Sequence, residues 1–162
     1  MKQELQDMII ACSAELADIG NKMGTLPALD KTKSYLTQYA LIRACGTIEF
    51  VFRSIVADFF DQFGVDQIDT YIDKTVRRGS MSCTYDNMRS LLGKFDDSWC
   101  NNFKQVVNQH ADGQRMISSV NSLVTNRHLF AHGRPPTATF TDICQYYQDG
   151  LTLIGLFDSV VV

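Results

Sequence analysis

Arg127, His128 and His132 place the groups best suited to chemistry on a phosphate close together, in the run Asn126-Arg127-His128-Leu129-Phe130-Ala131-His132-Gly133. An imidazole with its pKa about 6.5 takes or gives a proton at neutral pH, and a guanidinium offers phosphate oxygens a planar fork of donors. Around these residues Ile117, Val120, Leu123, Val124, Phe130 and Ala131 recur at three- and four-residue spacing, which predicts a helix from about 113 to 132 with one buried stripe. Arg127 falls near the middle of that stripe, and His128 and His132 at its edge. A guanidinium so placed needs a partner or a polar seam. Asp112 reads as the N-cap, Gly133 as the left-handed residue that closes the helix, and Pro135-Pro136 as its stop. His132 then sits on the last turn, where the helix dipole favours a cation.

Arg127, four intervening residues and His132, with a polar residue directly after the arginine and an Ala-His-Gly ending, resemble the R-x4-H signature of HEPN domains, most closely the RiboL-PSP-HEPN branch. The stretch Leu41 to Arg53, with Glu49 inside it, is similar to that branch's long second helix. The resemblance implies an all-α, HEPN-like bundle of about five to six helices. It also implies a metal-independent endoribonuclease that acts as a homodimer, two R-x4-H motifs meeting across a two-fold axis in one composite site. By that analogy His132 handles the proton of the ribose 2′-hydroxyl or of the departing 5′-oxygen. Arg127 binds the scissile phosphate, His128 orients or contacts the substrate, and Asn126 and Glu49 support them, leaving a 2′,3′-cyclic phosphate. RNA is the implied partner, with an antitoxin or regulatory protein beside it, in bacterial toxin–antitoxin, stress or phage-defence biology. Many members carry asparagine directly after the arginine and some toxins a tyrosine soon after the histidine. Here His128 and Gly133-Arg134 stand there, which argues against the subfamily modified by a nucleotidyltransferase antitoxin. The alternative is a catalytically silent HEPN-like module that binds RNA or protein, and a third reading is a plain helical interaction module.

The elements that must position this motif are helical throughout. Leu5, Met8, Ile9, Cys12, Leu16 and Ile19 predict an amphipathic helix over about 3–23. Leu41, Cys45, Ile48, Phe52, Ile55, Phe59 and Phe63 mark one face of a dominant helix over about 30–63, ended by Gly64. Shorter helices are expected over about 66–77 and 84–94. The stretch 94–113, with Trp99 and Phe103, reads as one helix, a lid or a dimer element. A last helix over about 140–160 carries Phe140, Ile143, Tyr147, Leu151, Ile154 and Phe157, with Thr139 as N-cap. Glu49, just off the apolar face of the dominant helix, is placed to meet Arg127 as a buried ion pair or to tune the site's charge. Arg53, one turn on, reads as a structural or surface arginine.

With 162 residues and 45% hydrophobic content, the chain suits a single domain over 1–162. The N-terminus is polar and no apolar run approaches the roughly 18 residues of a membrane span, so a cytoplasmic protein is expected. Five scattered cysteines without a Cys-x-x-Cys pair read as reduced small hydrophobes, not zinc ligands or disulfides. His128 and His132 have the spacing of two ligands on one helix face, but a third is not indicated, and neither metal nor cofactor is expected. An acidic pI of 5.5 weakens any general nucleic-acid-binding role. Phosphate contacts would have to come from a local cluster, with Arg77, Arg78, Arg115, Arg127 and Arg134 as candidates. Phosphate loops, Gly-x-Ser-x-Gly elbows and dinucleotide fingerprints are absent.

Overall fold

The computed structural model describes all 162 residues and contains helices but no strand. The helices are α1 (Gln3–Thr25), α2 (Lys31–Asp61), α3 (Asp66–Ile72, extended by a π-helical turn over Asp73–Arg77), α4 (Tyr85–Gly93), α5 (Asp97–Gln109), α6 (Gly113–Ala131) and α7 (Phe140–Asp158). There are seven helices, not five or six. α4 and α5 are separate because the Asp96 carboxylate caps a new start, accepting from the backbone N–H groups of Ser98 at 2.6 Å and Trp99 at 3.4 Å.

α2 is the central element, packed against α1, α3, α6 and α7. Its Leu41, Cys45, Ile48, Phe52 and Ile55 are buried, while Phe63 lies beyond the helix end and is exposed. The chain leaves α2 through Gly64, whose φ of 62° is the left-handed conformation glycine adopts without steric cost. α5 is part of the core and not a lid: Trp99, Phe103 and Val107 are buried, and Phe103 meets Phe157 of α7 edge-to-face at 5.4 Å. Phe157 in turn meets Phe52 of α2 at 5.9 Å, so three helices share one aromatic contact. No helix is long and apolar enough to cross a membrane.

α6 and α7 form the framework beneath the motif, lying against each other and both against α2. The start of α6 differs from expectation: the Asp112 side chain caps no backbone N–H and instead pairs with Arg115 at 2.7 Å. Gly113 is required there, because a Cβ would lie 2.0 Å from the Val107 carbonyl oxygen. α7 starts with a capping box, Thr139 and Asp142 each accepting from the other's backbone N–H. Between the two helices, the carboxylate of Asp149 is buried and accepts from Arg115, from Ser119 Oγ at 2.7 Å and from Gln145 at 3.2 Å. Burial opposes ionisation of Asp149, but these donors, Arg115 first, outweigh it and hold the carboxyl below its ordinary range.

Candidate active site

The C-terminal half of α6 carries Asn126, Arg127 and His128, and His132 caps its end. Val120, Leu123, Val124 and Asn126 are buried. One residue later, Arg127 keeps 28% of its side chain exposed and donates from Nη2 to Oε1 of Glu49, which keeps 16%. The apolar stripe therefore ends in an ion pair between α6 and α2. Burial works against the Arg127 charge, but the Glu49 hydrogen bond, with a smaller contribution from Cys45, outweighs it and raises the guanidinium above its ordinary value. Arg53, one turn on in α2, donates from Nε to the Glu49 backbone carbonyl at 2.8 Å. Its own charge is penalised by burial, which lowers its pKa although Glu49 and Cys83 pull the other way.

Beyond Arg127 the helix surface opens to solvent: Phe130 and Ala131, expected on the buried stripe, are exposed. His128 and His132 are exposed too, their rings 6.3 Å apart and inclined by 22°. Neither ring takes part in a hydrogen bond, so both keep their nitrogens free for a ligand. The helix then ends in a Schellman arrangement. Gly133 has φ 70°, its N–H bonds to the Phe130 carbonyl at 3.0 Å, and the Arg134 N–H bonds to the Leu129 carbonyl at 2.8 Å. His132 is the capping residue just before this turn.

Asn126 anchors the loop that leads from α6 to α7. Its buried Oδ1 accepts from the backbone N–H groups of Thr137 at 2.8 Å and Ala138 at 2.9 Å and from Thr137 Oγ1 at 3.2 Å. Its Nδ2 donates to the Ser122 carbonyl at 2.9 Å. The segment from Gly133 to Ala138 is thereby tied back onto α6, more than one turn before His132. Sequence reasoning puts Asn126 beside the motif but gives no sign of Thr137 as its partner.

The cationic groups are more engaged than the sequence suggests. Arg77 pairs with Asp58, Asp61 and Asp73, Arg78 with Asp73, and Arg115 with Asp112 and Asp149. Of the five arginines considered, only Arg134, on the turn after His132, has no carboxylate partner. The cysteines are free thiols. Cys45 and Cys83 nevertheless lie with their sulfurs 3.8 Å apart, and with Glu49 they form a set whose ligand atoms are all within 4.8 Å of one another. No third ligand joins His128 and His132.

A single chain thus offers an oriented arginine, two open imidazoles and an unpaired arginine at one helix end, without a cleft that encloses them. The arrangement can bind an oxyanion and move a proton, and it lies on the solvent side of the α6–α7 pair. No curated protein and no solved structure matches the chain. A family model does, that of RiboL-PSP-HEPN, over residues 8–162, and the chain belongs to that family.

Proposed function

We propose that this protein is a metal-independent endoribonuclease whose site forms when two copies bring their Arg127–His132 segments together. The observation that carries the reading is the open helix end. Arg127 is held at the edge of the core by Glu49, while His128 and His132 stand exposed with unengaged rings. Membership in the family supports a ribonuclease or RNA-binding role in general. On the finer reading, Arg127 neutralises the scissile phosphate and His132 of one copy accepts the ribose 2′-hydroxyl proton. The 2′-oxygen attacks phosphorus, the bond to the 5′-oxygen breaks, and a second imidazole protonates the leaving oxygen. The products are a 2′,3′-cyclic phosphate and a 5′-hydroxyl, with no water or metal consumed.

Tyr35, Tyr39 and Ile42 support the dimer. They are 65%, 49% and 41% exposed, and they share a face of α2 with Glu49 at heptad-like spacing. An apolar strip leading to the site is suited to a second copy, and the two-fold would double Arg127, Arg134 and both histidines. The biological setting proposed is growth restraint through RNA cleavage, under an antitoxin or regulatory partner. Expression of wild type should slow bacterial growth and His132→Ala should relieve it. Abundant, soluble wild-type protein with unimpaired growth and intact cellular RNA would count against the nuclease and favour a binding module.

A further inference from the structure

Directly behind the Glu49–Arg127 pair lie two thiols for which the proposed nuclease has no use. Cys45, on α2, and Cys83, on the irregular segment before α4, are both fully buried. Their sulfurs are 3.8 Å apart. That is the spacing of two thiolates on one tetrahedral zinc ion, since Zn–S bonds of about 2.3 Å at a tetrahedral angle put the sulfurs about 3.8 Å apart. Glu49 adds a carboxylate, with the three ligand atoms within 4.8 Å of one another. Its Oε1 receives Arg127, and no hydrogen bond engages Oε2.

We propose that Cys45, Cys83 and Glu49 bind one zinc ion, with Glu49 bridging the metal and Arg127. Two thiolates and a carboxylate suit a borderline-soft divalent ion and disfavour magnesium or calcium. The three anionic ligands leave a zinc unit with one net negative charge; Arg127 donates to its carboxylate, and Arg53, held on the Glu49 backbone carbonyl, is close enough to feel the charge of Glu49 and Cys83. This is the outer-shell pattern in which a ligating carboxylate is itself oriented by a hydrogen-bond donor. Cys83 can adjust, because the chain around it is not helical, and metal can enter from the side where Glu49 remains partly open. Three protein ligands would leave a fourth coordination position to a small exogenous ligand. The ion would fix Glu49 and through it the direction of Arg127.

The proposal concerns binding, so it is decided without reference to RNA cleavage. Reduced, metal-free protein is titrated with Co²⁺, and thiolate-to-cobalt charge transfer is monitored in the near ultraviolet. Native mass spectrometry after Zn²⁺ addition counts the metal. The expected result is one equivalent per chain, Zn²⁺ displacing Co²⁺. The band should vanish in Cys45→Ala and Cys83→Ala, persist in Cys100→Ser, and need roughly tenfold or more metal in Glu49→Gln, as when a metal ligand's support is lost. Circular dichroism checks that each variant is folded, and the wild-type titration needs no variant. Two results would overturn the proposal: folded, reduced wild type without the band, or a band that survives loss of both cysteines.

Discussion

Arg127 and Glu49 stand 78 residues apart in sequence and meet as an ion pair between α6 and α2, at the point where the buried stripe of α6 gives way to solvent. The pair fixes the direction of the guanidinium, and both side chains retain some exposure, so its energy is moderate. A double-mutant cycle of Glu49→Gln and Arg127→Gln, read by urea denaturation in EDTA, should give a coupling energy of about 1 kcal/mol. Additive effects would mean that the two groups do not sense each other in solution.

Asn126 governs the loop after the motif. Replacing it with alanine leaves the Thr137 and Ala138 N–H groups without their acceptor, at a cost of about 2 kcal/mol. Hydrogen exchange at those two amides should accelerate far more than at Val120 or Leu123. Uniform acceleration along α6 would show that Asn126 stabilises the whole helix and not the loop.

Asp149 makes stability depend on pH. Its carboxyl is held below the ordinary carboxylate value in the folded chain, so its contribution is complete above the unfolded value of about 4 and fades as pH falls through the lower folded value. Asp149→Asn should cost about 2 kcal/mol near neutral pH, less than for a fully buried pair because Arg115 is half exposed. In denaturation series the gap between wild type and variant should hold from about pH 7 to 5 and shrink below about pH 4. A gap that widens in acid would contradict this.

Ile42 tests the proposed interface. It is 41% exposed, and Ile42→Glu should leave helicity and melting of the isolated chain nearly unchanged. Light scattering should report a dimer for wild type and a monomer for the variant, with cleavage lost alongside. A variant that remains dimeric would place the interface elsewhere.

Much of this arrangement is legible in the sequence, for physical reasons. Gly133 closes α6 with a positive φ, Gly64 turns the chain away just after α2, and Thr139 starts α7 by capping. Glu49 is readable as Arg127's partner because a charge beside an apolar stripe needs compensation. The stripe misleads at Phe130 and Ala131: periodicity records which face could pack, not whether a neighbour reaches that far along the helix. Asp112 has cap chemistry, but Arg115 one turn on competes for its carboxylate. The Cys45–Cys83 contact leaves no local signal, since it spans 38 residues and one partner lies outside any helix. Likewise, the carboxylates that occupy Arg77 and Arg115 include some brought in by tertiary packing, Asp58, Asp61 and Asp149.

The measurement that bears most directly on the central claim is cleavage of a labelled mixed-sequence RNA in excess EDTA by wild type, Arg127→Ala and His132→Ala, each shown to be folded. The account predicts fragments ending in 2′,3′-cyclic phosphate from wild type and a loss of at least about a hundredfold in either variant, the scale of a removed proton-transfer or charge-stabilising group. Intact RNA with folded, dimeric wild type, or equal cleavage by all three proteins, would contradict it.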